Sequence, residues 1–288
     1  MSKTSIVKTG DSIIPGKHNG KNILWDARFL PNDMKKPIIL FVHGFKGFKD
    51  WGHFNLMADK FAQEGFVFVK MNLSHNGTTP DHPVDFVDLE AFGHNNFSIE
   101  MDDLGSLIDH IFSPAFEVPA QEINLSRLFI IGHSRGGGLA ILKAYEDKRI
   151  YGLATLAAID DLEKRWSGQA LKQWEEAGVQ MVHNGRTRQD MPLYFQLVED
   201  FRRNKSRLDI PAAVKGMSKP MLIIHGNDDE TLPVSMARNM KDWNSKVILE
   251  IVNGANHTFG GSHPCPSAKL PDHTRLAVEK IKNFFTVY

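Results

Sequence analysis

Six apolar runs of strand length divide this 288-residue chain, and most of them do not alternate with polar residues. They are residues 38–42, 66–71, 128–131, 153–158, 221–224 and 247–252. Uninterrupted apolar runs indicate strands that are covered on both faces, as in a parallel sheet. Between them, apolar residues recur at the spacing of helices that bury one stripe. The sequence therefore predicts an α/β fold with helices on both faces of a mainly parallel central sheet.

Two segments interrupt this alternation of strands and helices. Residues 11–31 contain two alternating stretches around Asn19–Gly20, a dipeptide typical of tight turns, and predict an N-terminal antiparallel hairpin at the sheet edge. Residues 160–219 are too long for a bare loop and have amphipathic stretches of their own. We expect them to form a helical cap, or lid, inserted into a core that comprises residues 1–159 and 220–288.

Composition narrows the classes of protein that fit the sequence. Lys plus Arg and Asp plus Glu both number 34, so the formal net charge is zero, and no long basic run is present. We therefore expect no nucleic-acid partner. No run approaches the ~20 apolar residues of a membrane span, and no apolar targeting segment begins the chain. With Cys265 as the single cysteine, these features favour a cytoplasmic protein without a membrane partner.

The stretch Gly132-His133-Ser134-Arg135-Gly136 stands between an apolar run and a helical pattern. Such a G-x-S-x-G turn from strand to helix presents a serine hydroxyl at a strained apex, with glycines that admit neighbouring backbone. The glycine spacing also fits the phosphate-binding turn of short-chain dehydrogenases. That alternative would place the turn after the first strand and needs a Tyr-x-x-x-Lys pair, and the sequence meets neither condition. The pattern favours Ser134 as a nucleophile.

A serine nucleophile needs a base that accepts its proton and an acid that orients the base. Asp229 lies in the acidic turn after residues 221–224, and His257 lies in a Gly/Asn loop after residues 247–252. Together with Ser134 they give the chain order Ser, Asp, His that accompanies a nucleophile elbow of this kind. The sequence thus predicts a catalytic triad of Ser134, Asp229 and His257.

These motifs together resemble those of α/β-hydrolase-fold serine hydrolases, and in particular those of dienelactone-hydrolase-like proteins and cinnamoyl or feruloyl esterases. The motifs are His43-Gly44-Phe45, the elbow at 132–136, His225-Gly226-Asn227-Asp228-Asp229 with Leu232-Pro233, and Gly254-Ala255-Asn256-His257. The resemblance runs from the N-terminal hairpin to the last helix and implies an α/β-hydrolase fold. Dienelactone hydrolases proper have cysteine at the elbow, so their substrate is not expected here.

The resemblance also bears on the choice of acid. The family pattern H-G-x-x-D-x-x-V-P falls on Asp229, which we therefore prefer to its neighbour Asp228. Some hydrolases of this fold place the acid one strand earlier, where Asp160 and Asp161 stand in this chain. A solvated start to the cap explains that pair better.

Two backbone N–H groups are expected to stabilise the negative charge that develops on the substrate oxygen. One belongs to Arg135, the residue after the nucleophile. The other is expected at Phe45, which follows His43-Gly44, with Lys46 or Gly47 as substitutes if the loop is shifted. These groups would form the oxyanion hole.

Substrate-binding residues are less clearly marked. Ligand sites are mostly apolar, so Trp166, Trp174 and Phe195 of the cap, with Leu232 beside the expected acid, are candidates for a substrate pocket. Packing of a small lid explains the aromatic residues nearly as well. The 13 histidines show no zinc-binding spacing, and we expect neither a metal nor another cofactor.

The combined reading is a serine hydrolase that acts on a small-molecule carboxylic ester through an acyl-enzyme. The residues leave open an amide substrate, as in acylaminoacyl peptidases, or a thioester, because the nucleophile does not report its leaving group. A non-catalytic binding protein with a hydrolase-like fold is the alternative from a different class. The full set of nucleophile, base, acid and oxyanion residues favours catalysis.

Overall fold

A nine-stranded sheet forms the centre of the computed structural model, which describes residues 5–164 and 166–288. Its strands are β1 (Val7–Lys8), β2 (Ser12–Pro15), β3 (Asn22–Phe29), β4 (Lys36–Val42), β5 (Val67–Asn72), β6 (Ile123–His133), β7 (Ile150–Leu156), β10 (Met221–Gly226) and β11 (Ile248–Val252). A separate hairpin consists of β8 (Val179–Asn184) and β9 (Gln189–Tyr194). The spatial order is β3-β5-β4-β6-β7-β10-β11, and both β1 and β2 pair with β3.

Helices connect the strands and cover both faces of the sheet. They are α1 (Phe54–Gln63), α2 (Leu89–Gly93), α3 (Phe97–Ile111), α4 (Arg135–Glu146), α5 (Gly168–Ala177), α6 (Gln196–Arg203), α7 (Ile210–Gly216), α8 (Ser235–Trp243) and α9 (Asp272–Val287). Strands β5, β4, β6, β7, β10 and β11 are mutually parallel, and β3 runs antiparallel to β5. The predicted α/β fold with a mainly parallel sheet is confirmed.

The apolar runs are continuous because both sheet faces are buried. In β4, Ile38 and Leu40 pack into the core beneath α3 and α4, whereas Ile39 and Phe41 pack into the core beneath α1 and α9. A strand between two cores has no face on which polar residues are favoured. The non-alternating pattern in the sequence follows from this arrangement.

The strand order places the site. From β4 the chain goes to β5 on one side, and it then crosses to β6 on the other side of β4. Such a reversal leaves a crevice outside the carboxyl ends of β4 and β6. Ligands of open α/β sheets bind in crevices of this kind. The loop at 43–53 and the turn at Ser134 both begin at this edge.

The N-terminal hairpin is also as predicted. Strands β2 and β3 pair antiparallel at the sheet edge, and the turn places Asn19 and Gly20 at φ of 51° and 63°. Positive φ at two successive residues is what Asn-Gly supplies at low cost. Across the described ranges, none of the helices has the length and apolar character needed to span a bilayer.

The insertion at 160–219 differs from its prediction. It contains α5, α6 and α7, as a helical cap should, but also the antiparallel hairpin β8–β9, which pairs Asn184 with Gln189. The prediction of a helical insertion was therefore incomplete. Asn184–Gly185 at the turn is the same hairpin signal that identified the N-terminal turn, and here it was overlooked.

A buried ionic cluster anchors the loop that follows β4. The Nζ of Lys49 lies 2.7, 2.6 and 2.6 Å from carboxylate oxygens of Asp11, Asp26 and Asp50. These three carboxylates are close enough together to hold a metal ion, but the ammonium groups of Lys49 and Lys70 already form ion pairs with them. Burial alone would lower the pKa of Lys49, but Asp26 and Asp50 outweigh it and hold that pKa above its usual value. The backbone N–H of Lys49 donates to Asn72 at 2.6 Å, which ties the loop to β5.

Asp103 on α3 is a second buried carboxyl group. Its Oδ2 accepts the backbone N–H of Ser74 at 2.7 Å, whereas its Oδ1 is buried and has no hydrogen-bond partner among residues 5–164 and 166–288. Burial raises the pKa of Asp103 to about 7. An unfolded chain would titrate this group near its reference pKa of about 3.9.

The Asp103 pKa predicts a pH-dependent contribution to stability. Between about pH 4 and about pH 7 the folded protein binds a proton at Asp103 that the unfolded chain releases, so this contribution to the free energy of unfolding falls as the pH rises. Asp103→Asn, which cannot ionise, should therefore be more stable relative to the unaltered protein at about pH 8 than at about pH 5. Urea unfolding of both proteins across this range measures the difference. A difference that stays constant with pH would contradict the assignment.

Candidate active site

Ser134 occupies a strained backbone turn between β6 and α4. Its φ and ψ are 57° and −122°, a positive-φ conformation that costs a residue with a side chain ~1–3 kcal/mol. Hydrogen bonds on both sides hold it: the Ser134 N–H donates to Leu156 O at 2.8 Å, and the Ser134 carbonyl accepts from Gly137 N at 2.9 Å. The turn projects the hydroxyl from the carboxyl edge of the sheet.

Glycines around Ser134 allow three backbone segments to meet. A Cβ placed on Gly132 would lie 2.1 Å from the carbonyl oxygen of Gly136, and one placed on Gly136 would lie 2.4 Å from that of His43. Both distances are far below van der Waals contact, so neither position has room for a side chain. The end of β6, the first turn of α4 and the loop after β4 are thus in direct backbone contact.

The structure brings Ser134, His257 and Asp229 together in one hydrogen-bonded chain. His257 Nε2 lies 3.0 Å from Ser134 Oγ, and His257 Nδ1 lies 2.8 Å from Asp229 Oδ2. The Asp229 side chain is fully buried, and the His257 side chain is 11% exposed. Hydroxyl, imidazole and carboxylate are within direct hydrogen-bonding distance of one another in the order that base activation of a serine requires.

Asp229 is held in place by its own turn. Its Oδ1 accepts the backbone N–H groups of Thr231 and Leu232, both at 2.8 Å. Burial by itself would raise the pKa of Asp229, but hydrogen bonds from His225, His257 and the Leu232 N–H outweigh it and hold the pKa far below the usual range. The carboxyl group is therefore ionised at neutral pH.

His225 contacts the same carboxylate. Its Nε2 lies 3.2 Å from Asp229 Oδ2 and 3.1 Å from the carbonyl oxygen of Leu232. Both neighbours are acceptors, so Nε2 carries the hydrogen and the ring is in one fixed tautomer. Sequence analysis gave this residue no part in the site, since a histidine at a strand end more often shapes a turn.

The alternative acids lie elsewhere. Asp228 points to solvent, and buried Asp160 accepts from Asn239 Nδ2 at 2.8 Å. Asp161 accepts backbone N–H groups of residues 163 and 164, as a turn-forming aspartate does. The structure brings none of these three to His257.

His133, the variable residue of the elbow, packs against His257. The two ring centroids are 5.0 Å apart, and His133 Nε2 donates to the carbonyl oxygen of His257 at 2.9 Å. Burial, aided by the neighbouring His257, lowers the pKa of His133 to about 3, so its ring is neutral at physiological pH. His133 thereby fixes the loop that carries His257, a role with no signature in the sequence.

The expected oxyanion donors lie beside Ser134. Arg135 is the first residue of α4, so its N–H has no acceptor within the helix. Phe45 follows Gly44, on which an added Cβ would lie only 3.0 Å from Ser134 Cβ. In the described part of the chain, the Phe45 N–H has no hydrogen-bond partner. Neither amide is committed to another acceptor in the described part of the chain, as an oxyanion donor requires.

The side chains of these two residues hold each other in position. The guanidinium of Arg135 lies 5.0 Å from the ring centre of Phe45 and 4.8 Å from that of Phe97. It also donates to both carboxylate oxygens of Glu100, at 3.1 and 2.5 Å. Asn95 donates to the same carboxylate at 2.7 Å. The site therefore contacts α3 through an ordered ion pair between two aromatic rings.

A cavity of about 270 Å³ opens next to Ser134. Core residues on its wall include Phe45, Trp51, Phe54, His257 and His263, and the β8–β9 hairpin contributes Asn184 and Arg186. The hairpin residues were not among the predicted site residues. The sequence feature that could have identified them is again the dipeptide Asn184–Gly185. It marks the tight turn of the hairpin, and Arg186 lies in that turn.

The predicted substrate-binding residues do not line this cavity. Trp166, Trp174 and Phe195 pack into the core on the α3 side of the sheet, where Trp166 stacks on Phe97 at 5.8 Å and Trp174 meets Phe195 edge-on at 5.7 Å. Leu232 is buried in the Asp229 turn. These aromatic residues join the insertion to α3, so the packing explanation holds and the pocket expectation is corrected.

Residues 39–269 match the alpha/beta hydrolase family. Because this match covers well over half of the chain, the protein belongs to that family. A search of curated protein sequences finds no match.

Solved structures with the same fold include two esterases and a peptidase. Est1E from Butyrivibrio proteoclasticus with bound ferulic acid is 17% identical, with a TM-score of 0.71 over 95% of this chain and 98% of its own. The esterase domain of a Rhodothermus marinus protein is 17% identical, with a TM-score of 0.63 over 99% of both chains. A puromycin-hydrolyzing peptidase from Mycobacterium tuberculosis is 12% identical, with a TM-score of 0.65 over 96% of this chain and 40% of its own. At these identities the likeness concerns the fold.

The elbow packing predicts a sharp contrast between two glycines. Gly132→Ala should lower the free energy of unfolding by about 3 kcal/mol or more, because its methyl group would overlap the backbone of α4. The matched control is Gly105→Ala in α3, where a new Cβ would meet only the movable Nζ of Lys143 at 3.3 Å. Gly105→Ala should be neutral or stabilising, since alanine is more favourable than glycine in a helix interior by ~1 kcal/mol. Urea unfolding compares the two variants, and equal stabilities would show that the elbow is looser than described.

Proposed function

We propose that this protein hydrolyses small-molecule carboxylic esters through an acyl-enzyme on Ser134. The observation that carries the proposal is the hydrogen-bonded chain from Asp229 through His257 to Ser134 Oγ, at 2.8 and 3.0 Å, on a turn at positive φ. Membership of the alpha/beta hydrolase family supports a hydrolytic reaction. The esterases among the structural neighbours favour an ester as its substrate.

In the first step, Ser134 Oγ attacks the ester carbonyl while His257 Nε2 accepts the hydroxyl proton. The ionised carboxylate of Asp229 accepts a hydrogen bond from the Nδ1–H group of His257, which keeps Nε2 free as a base and stabilises the imidazolium that forms. Because the Asp229 side chain is fully buried, little solvent screens this interaction. His225 and two backbone N–H groups keep the carboxylate in position.

The backbone N–H groups of Phe45 and Arg135 are proposed to bind the oxyanion. They need no reorganisation during the reaction, because the Arg135 side chain is fixed by Glu100 and by the rings of Phe45 and Phe97. Such preorganised donors stabilise charge that develops only in the transition state. Loss of one donor typically lowers kcat by ~10²–10³.

Breakdown of the tetrahedral intermediate completes acylation. The imidazolium of His257 donates its proton to the alcohol that leaves, and the acyl group stays on Ser134. A water molecule, activated in turn by His257, then attacks the acyl-enzyme and releases the acid. These steps need only the described side chains, the two amides and water.

Ser134→Ala tests the nucleophile directly. A fluorophosphonate probe should label the unaltered protein at Ser134, as located by peptide mass spectrometry, because His257 activates the hydroxyl. Ser134→Ala should not be labelled and should lose nearly all p-nitrophenyl ester turnover, leaving at most ~10³–10⁴-fold acceleration over water. Circular dichroism checks that the variant is folded. A folded, unlabelled native protein would instead favour the non-catalytic binding protein.

Substitution of two adjacent aspartates tests the acid. Asp229→Asn should lower kcat by about 10³–10⁴, because the amide favours the wrong tautomer of His257 and cannot stabilise its charged form. Asp228→Asn is the matched control, since this neighbour points to solvent and should leave turnover unchanged. Steady-state kinetics on one p-nitrophenyl ester compares them. Turnover that survives Asp229→Asn as it survives Asp228→Asn would reassign the acid to another carboxylate.

A further inference from the structure

Arg186, in the turn of the β8–β9 hairpin, lines the same cavity as Ser134. Its guanidinium lies over two aromatic faces, 5.2 Å from the ring centre of Phe48 and 5.4 Å from that of Phe86. Cation–π contacts of this kind stabilise the positive charge but supply no carboxylate or carbonyl acceptor for the N–H donors. The two rings thus hold the guanidinium beside the cavity without satisfying its donors.

The side-chain donors of Arg186 have no hydrogen-bond partner in the part of the chain that the structure describes. Its Nη2 is buried and makes no hydrogen bond within the described ranges. No carboxylate within the described ranges forms an ion pair with Arg186. Burial lowers the pKa of Arg186, and the more distant charge of Asp85 opposes this effect. A guanidinium stays charged at neutral pH even so. The Arg186 side chain is only partly buried and reaches the cavity wall, so a charged group without an acidic partner is open to an anionic ligand there.

Apart from histidines, the other charged residue in the described lining of the cavity is also a cation. No Asp or Glu belongs to its described lining, and Lys46 is the second cation there. The Nζ of Lys46 donates to the carbonyl oxygen of His183 at 3.0 Å, which links the loop after β4 to the hairpin. Asp229 lies close by, but its side chain is fully buried beneath His257. An anionic group in the cavity therefore faces two cations, and no carboxylate belongs to the described lining.

We propose that Arg186 binds a carboxylate on the substrate, so that the preferred esters are those that carry a free acid group. The guanidinium fork matches a carboxylate with two parallel N–H···O bonds, and the single charges balance. The hairpin would then hold the acid end while Ser134 attacks the ester carbonyl in the same cavity. This inference rests on the proposed ester hydrolysis for its substrate, but the anion site itself rests on Arg186.

Two matched ester pairs test the proposal and locate the acid group. On the acyl side, the mono-p-nitrophenyl ester of adipic acid is compared with its methyl-capped form. On the alcohol side, 4-butyryloxybenzoate is compared with its methyl ester. In at least one pair, kcat/KM for the anionic member should exceed that for the capped member. The ratio of these two values, anionic over capped, should fall as salt screens the charge. The pair that shows the ratio identifies the side that carries the acid.

Substitutions in the hairpin turn assign the ratio to one side chain. Arg186→Met should lower it by on the order of ten- to a hundredfold, as expected for a hydrogen-bonded ion pair. Arg186→Lys should retain part of it, because charge remains without the fork. Arg188→Met is the control, since this neighbour is exposed and outside the cavity lining. No anionic preference in either pair, or a preference that Arg186→Met leaves intact, would overturn the proposal.

A binding measurement separates this proposal from ester hydrolysis. With Ser134→Ala, calorimetry compares binding of 4-butyryloxybenzoate and monomethyl adipate with that of their methyl-capped forms, with and without Arg186→Met. An anionic preference that needs Arg186 supports the site even if the unaltered protein hydrolyses no ester. Hydrolysis of both members of each pair without such a preference leaves the proposed function intact and rejects the anion site.

Discussion

The positive-φ backbone at Ser134 is the constraint on which the rest of the site depends. A serine does not adopt it unaided, because the conformation costs ~1–3 kcal/mol. It persists because the Ser134 N–H bonds to Leu156 O on β7, and because Gly132 and Gly136 let β6, α4 and the loop after β4 touch. The hydroxyl is consequently fixed by the sheet itself. Its position does not depend on the insertion or on the longer loops.

The other groups reach Ser134 because parallel strands end at one edge. Asp229 follows β10 and His257 follows β11, and these strands lie two and three positions from β6 in the sheet order. The loops after these strands reach back along the edge, and His133 secures the loop after β11 through the carbonyl of His257. On the other side, the buried Lys49 cluster ties down the loop that carries Phe45. The loop that carries His257 and the loop that carries Phe45 are thus both held by buried polar contacts.

Much of the fold and of the expected triad could be predicted because each part has a local signature. Strands buried on both faces give continuous apolar runs, and Ser134, Asp229 and His257 each stand in a recognisable turn. The wall of the cavity has no such signature. Hydrophobicity marks Trp166 as buried but does not say whether its neighbours are α3 or a ligand, and an arginine such as Arg186 is by default a surface residue. Only the three-dimensional arrangement distinguishes these cases.

This division suggests where chemistry and selectivity reside in the molecule. The proposed nucleophile, base, acid and oxyanion donors all come from loops of the central sheet, whereas Asn184 and Arg186 come from the insertion. The insertion is fastened to α3 by its aromatic core, with Phe97 against Trp166 and Phe201. The same insertion carries the β8–β9 hairpin that lines the cavity. The turn at 185–188 can therefore vary in sequence and change which substrates fit while the geometry around Ser134 stays the same.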